Sequence, residues 1–267
     1  MTHQPTARPD RIRVLPRVHS PERHNERDLQ IYIPPSYDAT DNRYPVIYMH
    51  DGQNLFDDAL AFAGEWEVDD YLDILSHVGL EAIVVGIPNL GEKRFDEYSP
   101  FPDAKHGGGE GEAYVRFIAE TVKPRIDREF RTLPAREHTG ILGSSMGGLI
   151  SLFAFFSRPA TFGFAGAMSP ALWFADRQIF AYVEESPVVP GNLYLDIGTG
   201  EGDEAVRNAR GMKDLLVTKG YRPEENFLYV EDPGAPHSEA AWARRLPGTL
   251  SFLLPACMGC GPDIGIG

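Results

Sequence analysis

Short apolar runs alternating with segments of helical period place this chain in the α/β class, with a mostly parallel central sheet covered by helices on both faces. A glycine-flanked serine agrees: Gly143-Ser144-Ser145-Met146-Gly147 stands where a buried strand must hand over to a helix. So does size, because 267 residues at 42% hydrophobic and 24% charged suffice to bury a full core, and no linker or internal repeat interrupts them.

Taken in order, Arg11–Val18 and Asp28–Ile33 read as an antiparallel opening pair. The alternation then begins with a strand at Val46–His50, a helix near Val68–Leu75, a strand at Ala82–Gly86 and a helix near Tyr114–Ile126. Thr139–Leu142 is the apolar strand before the serine turn, and Leu149, Leu152, Phe153 and Phe156 recur at i, i+3, i+4, i+7, the period of a helix with one buried face. Ser169-Pro170 marks the end of a further strand, Leu193–Ile197 and Phe227–Val230 are two more, and a final helix carries Trp242, Leu246 and Leu250. Fully apolar strands of this kind pair in parallel beneath helices, and such sheets gather their functional groups at the C-terminal strand ends.

The chemistry is read from those ends. Glycines on both sides of Ser145 let the backbone turn sharply and lift its hydroxyl onto a helix N-terminus, which makes it a candidate nucleophile. His237 is the one histidine that follows it, in the turn-rich loop Asp232-Pro-Gly-Ala-Pro-His237, and is the candidate base. The acid should fall between them, after Leu193–Ile197, where Glu201, Asp203 and Glu204 compete. Glu201 is preferred over Asp203, Glu204 is expected to open the next helix, and Asp196 lies inside the strand as a structural residue. Backbone N–H groups of Met146 and Gln53, with Gly52 as the alternative to Gln53, are the expected oxyanion donors. His50, ending a buried strand, reads as structural. Trp66 and Trp173 are candidate substrate-lining aromatics, and Arg94 is a candidate anchor for an anionic group unless Glu92, Asp96 or Glu97 pairs with it.

Composition limits the partners. A formal net charge of −14 repels phosphate backbones and anionic lipid, so neither nucleic acid nor a membrane is an expected partner. The start Met1-Thr-His-Gln-Pro has no basic, apolar leader, which makes a cytoplasmic protein the expectation; a trimmed secreted form would look the same. Cys257 and Cys260 form a C-x-x-C outside any strand-to-helix context and read as tail thiols, and no metal or organic cofactor is expected. Gly107-Gly-Gly-Glu-Gly111 reads as a surface or rim loop.

Tyr48-Met-His-Asp-Gly-Gln-Asn-Leu-Phe56, Gly64-Glu-Trp66, Arg94-Phe-Asp-Glu-Tyr-Ser-Pro100, Gly143–Gly148, Ser169-Pro-Ala-Leu-Trp173 and His237, in this order, resemble the Putative esterase family of α/β-hydrolases. Its members include enterochelin, feruloyl and acetylxylan esterases, S-formylglutathione hydrolase and the antigen 85 mycolyltransferases. The resemblance spans about residues 25–255, which leaves 1–24 as an N-terminal extension with the first strand and 256–267 as a tail. It implies an α/β-hydrolase fold, Ser145 and His237 as nucleophile and base, and Gln53 and Met146 as oxyanion donors. Family members vary between Asp and Glu at the acid. The expected activity is that of a serine carboxylesterase acting on a small-molecule substrate, a neutral ester with a short acyl, aryl or carbohydrate group. The alternatives are an acyltransferase of the same fold, a siderophore esterase and a catalytically silent binding module. Oligomeric state is left open.

Overall fold

Residue parity along the central strands divides the interior in two. Among the residues 11–254 that the computed structural model describes, Val46 and Tyr48 of strand β3 (Val46–His50) point into one apolar cluster, while Ile47 and Met49 point into another. Strand β4 (Ile83–Ile87) repeats the division, with Ile83, Val85 and Ile87 on one side and Val84 on the other. Successive side chains of a strand face opposite ways, so a run that is apolar at every position needs a cover on both faces.

Among the described residues the main sheet has eight strands. Two antiparallel strands, β1 (Ile12–Ser20) and β2 (Asn25–Tyr32), lead into β3 and β4, followed by β5 (Thr139–Ser144), β6 (Phe164–Met168), β7 (Asn192–Gly198) and β8 (Phe227–Asp232). Their spatial order is β1-β2-β4-β3-β5-β6-β7-β8, with β2 antiparallel to β4 and every later pairing parallel. Helices α1 (Val68–Ser76) and α6 (Glu239–Leu253) cover one face. The other face carries α2, whose α-helical turns Gly111–Arg116 and Lys123–Glu129 flank a π-helical stretch Phe117–Val122, with α3 (Met146–Ser157), α4 (Phe174–Glu185) and α5 (Asp203–Lys219). Among the described residues no helix is long and apolar enough to cross a membrane. Cys257 and Cys260 lie outside the described residues.

Several elements differ from their sequence reading, for physical reasons. Strand β1 runs on to Ser20 because a bulge between Leu15 and Val18, with Arg17 at φ 50°, shifts the alternation and restarts it. Helix α3 is buried at every position from Met146 to Phe156, not on one face, so it is a core helix clamped between sheet and neighbours. The glycine-rich loop contributes Gly107–Gly108 to a small antiparallel pairing with Pro102–Asp103. Helix α4, which is not assigned from the sequence, starts with Ala175, Asp176 and Arg177 at positive φ.

The loops after β3, β5, β7 and β8 bring Gln53, Ser145, Glu201 and His237 to one end of the sheet. The first of these loops turns at Asp51, with φ 54° and ψ 45°, and then lies directly on β4. A Cβ on Gly52 would stand 2.5 Å from Gly86 C and 2.6 Å from Ile87 N, both main-chain atoms that cannot swing aside. Gly52→Ala should therefore push the Gln53 turn off the sheet and destabilise the fold by about 1–3 kcal/mol. Thermal melts check this; an unchanged Tm would show that the turn relaxes freely.

Candidate active site

Strand β5 passes straight into α3, and the one residue between them is Ser145, at φ 56° and ψ −120°. Its backbone is held from both sides: its N–H donates to Met168 O at 2.9 Å, and its carbonyl accepts from Ala171 N at 2.9 Å and Leu149 N at 3.0 Å. A Cβ on Gly143 would fall 2.9 Å from His50 Cδ2 and 3.0 Å from Gly147 C, so the first helical turn can sit this close to the strand only over glycine. Met146 is the first helical residue, where N–H groups have no partner within the helix.

The side chains predicted from the sequence meet here. His237 Nε2 lies 3.0 Å from Ser145 Oγ, and its Nδ1 lies 2.6 Å from Glu201 Oε2. The Glu201 carboxylate is buried while the His237 imidazole is 44% exposed, so the carboxylate is shielded from solvent and the imidazole is open to the cavity. Burial pushes the Glu201 carboxyl up, but hydrogen bonds from His237, from the Ser169 hydroxyl and from Gly198 N outweigh it and leave it below the ordinary carboxylate value. Asp203 instead opens α5 and is exposed, and Glu204 follows it on the same helix. Asp196 is buried within β7 and paired with Arg245, in keeping with a structural role.

A cavity of about 460 Å³ opens over Ser145 and His237. Gln53 lines it, with its side-chain Oε1 accepting from Asn89 N at 3.2 Å, and the 90% exposed Phe62 stands at its edge. Arg94 also lines it, but as half of a forked pair: Nε and an Nη each lie 2.8 Å from the two oxygens of Asp51. Burial would raise the Asp51 carboxyl, yet Arg94 and Asn89 hold it below the ordinary value. The partner of Arg94 is thus Asp51 rather than Glu92, Asp96 or Glu97. A second cavity of about 440 Å³ on the far side of His237 is lined by Trp173, Pro170, Glu201 and Glu204.

Trp66 differs from its sequence reading. It is 3% exposed, packs in the α1–α6 cluster and does not line the cavity; its indole N–H donates to Glu239, whose carboxylate does. Trp173, at 44% exposure, lines the second cavity and meets His106 edge-on. His50 is buried, bonded through Nδ1 to Tyr114 Oη at 2.9 Å, and burial pushes its pKa down to about 3, so it is neutral. Sequence reasoning missed Ser169, Arg245, Asn89 and Glu239, and took Trp242 only as a helix residue. The indole of Trp242 meets the His237 ring edge-on, 4.7 Å between centroids. Among the described residues no cluster of three His, Cys, Asp or Glu side chains is placed to hold a metal.

The family described as Putative esterase matches residues 20–253. The YbbA protein of Bacillus subtilis (strain 168) is 26% identical over 247 residues, covering 88% of this chain and 95% of its own. Ferri-bacillibactin esterase BesA of the same organism is 28% identical over 236 residues, covering 76% of this chain and 78% of its own. The crystal structure of an IroE-like serine hydrolase from Shewanella oneidensis superposes with a TM-score of 0.74 at 21% identity, covering 91% of this chain and 80% of that one. The fold they share is that of an α/β-hydrolase.

The Asp51–Arg94 pair makes a pH-dependent prediction. A carboxyl whose folded pKa is depressed adds stability above its unfolded pKa and loses it as pH falls through the folded value. Arg94→Met strands a buried carboxylate, so at neutral pH the variant should be less stable than wild type by about 3 kcal/mol. The gap should close below the carboxylate range, where Asp51 is protonated in both proteins. Denaturation across this pH range tests it, and a gap independent of pH would mean that Arg94 contributes packing alone.

Proposed function

Because this chain belongs to the Putative esterase family and is a carboxylic ester hydrolase, we propose that it is a serine carboxylesterase working through an acyl-enzyme. The observation that carries this reading is the continuous hydrogen-bonded line from Glu201 through His237 to Ser145, opening into a cavity. In the proposed reaction Ser145 Oγ attacks the ester carbonyl and gives its proton to His237 Nε2. Glu201 holds the Nδ1–H, which sets the tautomer and stabilises the imidazolium as it forms. The carbonyl oxygen becomes an oxyanion and accepts from the N–H groups of Met146 and Gln53. Collapse breaks the ester C–O bond, the leaving alkoxide takes the proton from His237, and water repeats the sequence on the acyl-enzyme to release the acid.

Charge argues for neutral substrates. Among the described residues Arg94 is the one arginine or lysine lining the cavity, and its guanidinium is taken up by Asp51, while Glu239 adds another carboxylate. A polyanionic ester would meet no uncommitted guanidinium or ammonium there. Small neutral esters, including acetyl-sugar and aryl esters, are therefore the proposed substrates. The similarity to ferri-bacillibactin esterase BesA favours a second reading, hydrolysis of siderophore esters.

Ser145→Ala should lower kcat on a p-nitrophenyl ester by at least about a thousandfold. Glu201→Gln should lower it more than Asp203→Asn, and a fluorophosphonate should label Ser145. Labelling of Ser144 would overturn the nucleophile, and collapse only in Asp203→Asn would overturn the acid.

A panel of p-nitrophenyl acyl esters, feruloyl esters, acetyl-sugars and ferri-bacillibactin, compared by kcat/KM, decides the substrate class. The neutral esters should lead. A wide lead for the siderophore would overturn the charge argument and make Lys93 and Arg94 the first anchors to test.

A further inference from the structure

Beneath Glu201 lies a polar group that none of the proposed steps uses. Ser169 follows β6, is 1% exposed and sits at φ 40°, a conformation that side-chain-bearing residues seldom adopt. Its hydroxyl touches three side chains: Glu201 Oε1 at 2.6 Å, Trp242 Nε1 at 3.0 Å and an Nη of Arg245 at 2.8 Å. A hydroxyl has one proton and two acceptor lone pairs. Indole N–H and guanidinium N–H can only donate, so Trp242 and Arg245 occupy both lone pairs. The single Ser169 proton is therefore forced onto Glu201.

Arg245 is fixed in turn. Its Nε donates to Asp196 Oδ2 at 2.9 Å and its Nη to Asp196 Oδ1 at 3.1 Å, and both side chains are almost wholly buried. Asp196 also accepts from Ser169 N at 2.8 Å and Tyr194 Oη at 3.0 Å, which ties the pair to the same two strands that carry Ser169 and Glu201. One Nη of Arg245 lies 4.0 Å from Glu201 Oε1, so its charge also favours the ionised carboxylate.

We propose that Ser169, oriented by the buried Arg245–Asp196 pair and by Trp242, is the positioning residue that keeps one oxygen of the Glu201 carboxylate turned to His237. Without the Ser169 proton, Glu201 Oε1 keeps only the bond from Gly198 N at 2.8 Å, and the carboxylate can rotate away from Nδ1. Ser169 touches no reacting atom; it acts through Glu201. The inference rests on the reading of Glu201 as the triad acid.

A double-mutant cycle with Ser169→Ala and Glu201→Gln tests it. Ser169→Ala alone should lower kcat by about tenfold to a hundredfold, the effect of a charge-assisted hydrogen bond, with KM little changed. In the Glu201→Gln background it should have almost no further effect, because the group it acts through is already gone. Wild type should show a far-downfield proton resonance from His237 Nδ1–H, and it should weaken or move upfield in folded Ser169→Ala. If Ser169→Ala does not fold, Arg245→Lys, which keeps the charge but loses the fork onto Asp196 and Ser169, takes its place in the same cycle. Equal losses in both backgrounds, or full activity with an unchanged resonance, would overturn the proposal. Full activity of Glu201→Gln itself would remove the triad reading and this inference with it, an outcome that the single variant distinguishes.

Discussion

The backbone turn at Ser145 constrains everything around it. A residue with a side chain at φ 56° costs on the order of 1–3 kcal/mol and persists only where its surroundings over-determine it. Here the surroundings are β6 and the segment after it, which bond the Ser145 N–H and carbonyl through Met168 and Ala171. Ser169, between those two residues, is itself at positive φ. The two strained serines are therefore fixed against each other through main-chain bonds, one presenting its hydroxyl to the cavity and the other to the buried side of Glu201. Loosening either turn would release the other.

Three carboxylates near His237 show how neighbouring donors and burial compete. Glu201 and Asp51 are both buried, and both are held below the ordinary value by donors that outweigh desolvation. Glu239 lacks such an excess: burial dominates, the Trp66 N–H opposes it, Asp51 adds repulsion, and its carboxyl is pushed up.

The sheet and the Glu201–His237–Ser145 hydrogen-bonded line were legible in the sequence because both depend on local signals. Apolar runs bounded by turn formers marked β3, β5, β7 and β8, and the chain order serine, carboxylate, histidine narrowed the line to a few residues. Glu201 is preferred as the first carboxylate after the strand-ending glycine, and the helix expected to open at Glu204 opens one residue earlier, at Asp203. What escaped depends on contacts distant in sequence. Nothing near Asp196 announces Arg245, 49 positions away, and nothing near Ser169 announces Trp242, 73 positions away. Trp66 misled for the same reason: an aromatic close to a strand end can face the cavity or the core, and only the placement of α6 decides which.

Helix α6 joins these distant pieces. Ser238 caps it by accepting from Ala241 N, which fixes the backbone immediately after His237. Trp242 and Arg245, three apart and so on one face, then reach back to the imidazole ring, the Ser169 hydroxyl and Asp196. A buried ion pair is weak evidence for stability, since well-packed apolar groups of similar volume often do as well. Apolar groups could not supply the two donors that direct the Ser169 proton, however, nor the charge beside Glu201. The pair therefore makes better sense as a device for orientation: one helix sets the position of the exposed His237 and the hydrogen bonding of the buried Glu201 together, so neither can drift relative to the other.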